Sequence, residues 1–269
     1  MRLSVTAWSF PALTLPEVAG VARAIGITAV DLGLFYRSAL DRARLLAAPE
    51  TLADELLQLG SAFSNLYWLF GADMVQRNLA DPTARAANRH DFVQVLRFCK
   101  AAGIPSVMLL PGMLGRGQSR HDALRESAAA LRELLPLAAE AGVTIAVEPH
   151  VHSFVESPTL ALELLAAAPG AKLALDYAHF VCLGYRQEEI DPLAAHAAHV
   201  HLRQARPGVL QAKLAHGTIN FPAVLATLRA VGYASYLAIE YVHQEYMDTR
   251  HDDVLTESVQ MRDLVRAAL

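Results

Sequence analysis

The chain has 269 residues, of which 54% are apolar and only 19% charged, with 23 basic against 27 acidic side chains for a net charge of −4. This composition excludes a disordered chain and a small stapled scaffold. The weak acidic balance also speaks against a protein held on nucleic acid by its overall field.

The first residues, Met1-Arg2-Leu3-Ser4-Val5-Thr6-Ala7-Trp8, are short, apolar and mixed with hydroxyls, and they predict a strand rather than a signal peptide. Nowhere does an apolar stretch reach the roughly 18 residues of a membrane span, so no membrane partner is expected. Cys99 and Cys182 make neither a disulfide framework nor a zinc motif, and a reduced, cytoplasmic setting is the expectation.

In chain order, apolar runs predict strands at Leu3–Trp8, Ala29–Gly33, Ala62–Leu66, Ser106–Leu110, Val143–Glu148, Lys172–Asp176, Ala198–Leu202 and Tyr236–Tyr241. Their starts lie 26 to 44 residues apart, room for one crossover helix each. Among the intervening segments, Pro49–Gly60, Ala84–Ala102 and Ser119–Ala141 predict helices. Several helices leave through Ala-Gly, as at Ala102-Gly103 and Ala141-Gly142, where glycine takes the left-handed exit conformation. Val254–Leu269 predicts a final amphipathic helix that closes the barrel bottom or meets a second subunit. No Ser/Gly/Pro-rich linker divides the chain. Eight β-α units without a linker predict one (β/α)8 TIM barrel over residues 1–269, with an open doubly wound sheet as the alternative. Ser9-Phe10-Pro11 after the first strand lacks the glycine fingerprint of a dinucleotide fold.

Strands five, six and eight stay apolar until a closing acid: Glu148, Asp176 and Glu240. Strand seven closes on His201. Barrel strands converge at their C-terminal ends, where catalytic groups sit. Alternation with period two puts Ala146, Ala174 and Ala238 beneath the three acids, leaving room for inward carboxylates, and turns Val147, Leu175 and Ile239 toward the helices. Three carboxylates at an apolar mouth repel one another and lose solvation. A divalent cation resolves that conflict. Three carboxylate oxygens and one imidazole suit Mn²⁺ first, with Mg²⁺, Co²⁺ or Zn²⁺ as alternatives. The competing explanation is that these acids cap the helices that follow them.

At these motifs the chain resembles the xylose isomerase-like barrels, the sugar isomerase/epimerase superfamily that also holds AP endonuclease family 2. The carriers are Ala146-Val147-Glu148-Pro149-His150, Leu175-Asp176-Tyr177-Ala178-His179, His199-Val200-His201-Leu202, Gly217-Thr-Ile-Asn-Phe221 and the run from Gly232-Tyr233 to Ile239-Glu240. The resemblance implies one divalent metal held by Glu148, Asp176, His201 and Glu240, with Glu148 and Glu240 also moving protons beside a substrate carbonyl. It further implies substrate contacts from His179 and, through loop position, from Arg206, with Arg203 as rival. His150 is expected beside the site, Trp8 as an apolar wall against the substrate, and His199 as a hydrogen-bonded core residue.

The expected partner is a small carbohydrate-like molecule. The expected activity is isomerisation or epimerisation of a hydroxy-ketone through an enediolate, with dehydration of an inositol ketone or a dehydroshikimate-like acid as the alternative. The endonuclease branch draws histidines from strands two and three, which here end Asp31-Leu-Gly33 and Ser64-Asn65-Leu66. No nucleic-acid partner is therefore expected, and a homo-oligomer is allowed.

Overall fold

Each apolar run becomes a strand buried on both faces, as a parallel sheet wrapped in helices requires. The computed structural model describes residues 1–250 and 252–269. Its strands are β1 (Arg2–Thr6), β2 (Ala29–Leu32), β3 (Ala62–Tyr67), β4 (Ser106–Leu109), β5 (Thr144–Val147), β6 (Lys172–Asp176), β7 (Ala197–Leu202) and β8 (Tyr236–Ile239). They follow one another around a closed barrel in which β8 pairs in parallel with β1. The open-sheet alternative falls with that closure.

The observed helices lie close to the sequence expectation. Arg120–Ala141 starts at Ser119, whose side chain accepts from the Asp122 backbone N–H. It ends at Gly142, whose φ of 72° favours a residue without a Cβ. Arg85–Ala102 is preceded by a short 3-10 turn over Pro82–Ala84, and the helix at Pro49 stops at Leu57. The final helix, Val254–Ala268, buries Met261 and Val265. Its Arg262 and Arg266 donate to the carbonyls of Ile25 and Gly26 at 2.7 Å, so this helix packs on its own barrel. Among the described residues no helix is long and apolar enough to cross a membrane.

The pleat sorts the strand residues as alternation predicts. Val147, Leu175 and Ile239 join the large core that includes the helix undersides, while Ala146 and Ala174 join a separate inner cluster with Trp8, Tyr67, Met108 and Val242. Each fully buried aliphatic side chain contributes about 1.5–3 kcal/mol.

Two register shifts adjust this pattern. Between β2 and β3, Val30 pairs with Phe63 but Asp31 pairs with Asn65, so Ser64 is the extra residue. Between β6 and β7, Leu173 pairs with Ala197 but Ala174 pairs with His199 and Asp176 with His201. Such bulges re-aim side chains next to active sites. One expectation is corrected here. The first strand ends at Thr6, and Trp8 lies in a 3-10 turn over Ala7–Ser9, where the Thr6 and Ser9 hydroxyls meet at 2.6 Å.

Candidate active site

Glu148 and Glu240 stand one residue past the ends of β5 and β8. Their backbone N–H groups still donate to Leu109 and Leu202 across the sheet at 3.0 Å, so both side chains leave from fixed positions. They meet at His201, the fifth residue of β7. Its Nδ1 lies 3.0 Å from Glu148 Oε1 and 3.2 Å from Glu240 Oε2. The other Glu240 oxygen accepts a 2.8 Å hydrogen bond from the Trp8 indole, while Oε2 makes no hydrogen bond among the described residues. All three residues are buried, with Glu240 the most exposed at 7%.

The environments of the two glutamates push them apart. Burial raises Glu148 to about 7 against the pull of His201. Burial also acts to raise Glu240, but Arg203 and His201 outweigh it and hold that carboxyl well below the usual range. For His201, burial favours the neutral ring, and the surrounding carboxylates overcome it and raise its affinity for a proton.

Asp176 is the fourth expected ligand. Its Oδ1 accepts from the Ala178 backbone N–H at 2.8 Å, capping the short helix Tyr177–Cys182, and its Oδ2 accepts from Arg203 Nη2 at 2.7 Å. The capping explanation therefore holds for this acid, although it leaves Oδ2 aimed at the cluster. Arg203 Nη2 also lies 2.9 Å from His179 Nε2 and 3.7 Å from Glu240 Oε2. The guanidinium thus stands between Asp176 and Glu240 and against His179.

The donor set fits a divalent cation in two respects. Glu148, His201 and Glu240 each offer one ligand atom, all within 4.8 Å of one another, and a buried carboxylate oxygen of Glu240 has no hydrogen bond among the described residues. Asp176 stands outside that trio, with Arg203 Nη2 between its Oδ2 and Glu240, so the trio itself offers two hard oxygens and one imidazole nitrogen and Asp176 would add a third oxygen once Arg203 releases it.

A cavity of about 440 Å³ opens over this cluster. Trp8, Phe35, Tyr67 and Met74 form one wall; Glu148, Glu240, His150, His179 and Arg203 form the other, with Tyr246 at the rim. His179 is buried at 1% exposure, and its Nδ1 faces the Val151 backbone N–H at 3.3 Å. Burial lowers it well below the ordinary histidine range and lowers His150, packed on it at 4.1 Å between ring centroids, to about 4. Burial thus favours the neutral form of both rings.

The structure brings together Trp8, Glu148, His150, Asp176, His179, His201 and Glu240. It does not bring in Arg206. That side chain is exposed and lines a neighbouring cavity with His152, Cys182 and Lys213, because the chain turns back through a hydrogen bond from Arg206 N to Val209 O. Arg203 occupies the site instead. Its signal was present in the sequence: it continues the period-two series His199, His201, Arg203. His199 is a core residue, as expected. Asp31 is an acid within an apolar strand rather than past its end, the signal that sets it apart in the sequence. Phe35, Tyr67 and Tyr246 come from loops and a strand end that carry no motif.

A family model described as "Xylose isomerase-like TIM barrel" matches residues 19–263. A human protein provisionally named a hydroxypyruvate isomerase is 26% identical over 251 residues, covering 87% of this chain and 86% of its own length. Among solved structures, an L-ribulose 3-epimerase superposes with a TM-score of 0.75 at 19% identity, covering 100% of this chain and 94% of its own. A protein called IolI, solved with a bound zinc atom, superposes with a TM-score of 0.77 at 19% identity, covering 100% of this chain and 99% of its own. At these identities the two structures speak for the fold.

Proposed function

The chain belongs to the xylose isomerase-like TIM-barrel family, and from that premise we propose that it is a divalent-metal-dependent isomerase or epimerase of a small, unphosphorylated hydroxy-ketone. The observation that carries this reading is the meeting of Glu148 and Glu240 on His201 Nδ1 beneath a cavity of about 440 Å³. Two carboxylates from the ends of β5 and β8, reaching one imidazole nitrogen, give a substrate carbon a proton acceptor and a proton donor in one site.

Glu148, Asp176, His201 and Glu240 would hold the metal, with Mn²⁺ as the first candidate. Bound there, the cation would supply Lewis-acid stabilisation of the charge that develops on oxygen as a proton leaves the neighbouring carbon. The chain's own groups do the rest. One glutamate removes the proton, and the other returns one. Return to the opposite face of the same carbon gives epimerisation; return to the former carbonyl carbon, with the neighbouring hydroxyl proton passing to the former carbonyl oxygen, gives isomerisation. Trp8 fixes Glu240 through its 2.8 Å hydrogen bond, and with Phe35 and Tyr67 it offers apolar surface to a sugar face while excluding water. His150 and His179 address hydroxyl groups. Among the described residues Arg203 Nε–H has no partner, and it is a further donor.

The phosphate-free substrate follows from charge. Arg203 is the one Lys or Arg among the described residues lining this cavity, and its guanidinium already pairs with Asp176. Incubation of the Mn²⁺-loaded protein in D₂O with ketoses, hydroxypyruvate, inositol ketones and dehydroshikimate, followed by NMR, is expected to incorporate deuterium at a carbon beside the carbonyl without loss of water. Free sugars should react in preference to their phosphates. A new alkene or deoxy-ketone would replace this reading with the dehydratase; exchange restricted to phosphorylated substrates would refute the charge argument.

Gly33 supplies a second test. A Cβ at this position would stand 2.7 Å from Trp8 Cε3. Gly33→Ala is expected to displace the indole from Glu240, and a hydrogen bond to a charged group is worth about 1.5–3 kcal/mol. The exchange rate should fall about 10-fold or more, and Trp8→Phe should fall with it. If Gly33→Ala reacts at the wild-type rate, the indole does not position Glu240.

A further inference from the structure

Beneath His201 lies a buried polar chain that the proposed chemistry does not use directly. Asp31 is fully buried, and its Oδ2 lies 3.1 Å from His201 Nε2 and 2.7 Å from His199 Nε2. Its other oxygen accepts from Asn65 Nδ2 at 3.0 Å, and Asn65 Oδ1 in turn accepts from the Ser106 hydroxyl at 2.8 Å. The chain therefore runs Ser106, Asn65, Asp31, His201 across four strands and ends where Glu148 and Glu240 converge. Both register shifts serve it. One sets Asp31 opposite Asn65, and the other sets His201 opposite Asp176.

Resting on the metal-dependent reading above, we propose that Asp31 is a positioning residue: it accepts the Nε2–H of His201, fixes the tautomer that leaves Nδ1 with a lone pair, and holds the ring so that this lone pair faces the meeting point of the glutamates. An imidazole has one donor and one acceptor nitrogen when neutral, so the partner of one nitrogen decides the role of the other. A carboxylate can only accept from Nε2, whereas a side chain that donates there would reverse the tautomer and point an N–H at the cation. Asp31 is itself held by Asn65, which Ser106 holds in turn, so its carboxylate is anchored from behind. Outer partners of this kind usually change metal affinity by about 10- to 100-fold when removed.

The test measures metal, not turnover. Equilibrium dialysis with Mn²⁺ compares wild type, Asp31→Asn, Asn65→Ala and Glu240→Gln. Asp31→Asn is expected to bind about 10- to 100-fold more weakly. Asn65→Ala, which keeps the carboxylate but frees it to turn, should shift in the same direction by less and guards against an Asp31→Asn protein that does not fold. In the Co²⁺-loaded wild type, NMR should show an exchange-protected, hyperfine-shifted imidazole N–H, lost or rapidly exchanging in Asp31→Asn; a role confined to packing would leave that proton in place. If wild type takes up no metal, the metal-dependent reading fails and this inference with it. If wild type binds and loses the metal in Glu240→Gln, yet Asp31→Asn and Asn65→Ala bind as tightly as wild type, only the inference about Asp31 is overturned.

Discussion

Glu240→Gln is expected to abolish the exchange reaction, lowering its rate by about 10²–10⁴, and to strip the protein of bound divalent metal at the same time. The amide is nearly isosteric, and its oxygen can still accept from the Trp8 indole, so the cavity wall stays in place. What disappears is the negative charge that faces His201 Nδ1 at 3.2 Å and Arg203 Nη2 at 3.7 Å. Without it the cluster would offer a cation one fewer oxygen and, on the proposed reading, would lack its proton acceptor on that side. Glu148→Gln should lose exchange to a similar degree, because it removes the group on the other side of the same imidazole nitrogen. Metal content by atomic absorption and deuterium exchange by NMR check both variants. Should Glu148→Gln leave metal content and exchange unchanged, the assignment of the site is wrong.

Arg203→Met is expected to be the most destabilising single change at the site. The guanidinium is 4% exposed and pairs with Asp176 at 2.7 Å, with Glu240 3.7 Å away. Deleting one partner of a buried pair leaves the other charge without compensation and costs about 3–5 kcal/mol. For a chain of this size that corresponds to a fall in Tm of roughly 6–20 °C. Methionine fills much of the volume of the arginine stem, so the loss reflects charge more than a cavity. A cation bound among Asp176, Glu148 and Glu240 would take over part of the compensation. Mn²⁺ should therefore raise the Tm of Arg203→Met by more than it raises that of wild type. Thermal melts with and without Mn²⁺ decide it. A variant that melts within about 2 °C of wild type without metal would show that Asp176 does not depend on Arg203.

How far each feature was legible depended on how local its cause is. Glu148, Asp176 and Glu240 were readable because a strand buried on both faces excludes charge along its length, so an acid at its end stands out. The alanines two residues earlier were readable for the same reason, since alternation is a property of one strand. Arg206 was chosen over Arg203 by loop position, and loop paths are not fixed by composition. Here the chain folds back from Arg206 to Val209 and carries that side chain into the next cavity. Strand alternation alone would have favoured Arg203. Trp8 lines the cavity over the cluster and also bonds Glu240, a contact across the barrel that one strand's pattern does not reveal.

By itself the sequence determined the eight β-α units, the placement of three acids and a histidine at strand ends, and the small residues beneath the acids, because each is a consequence of burial acting on one segment. Only the tertiary structure decided which charges meet. Arg203 pairs with Asp176, and Asp31 reaches His201 from β2 across the barrel, because closure brings inward side chains of distant strands together and the bulges after Val30 and Leu173 set their register. Alternation within one strand fixes which face each side chain takes, but the partner it meets depends on the register against the next strand, which the bulges shift by a residue.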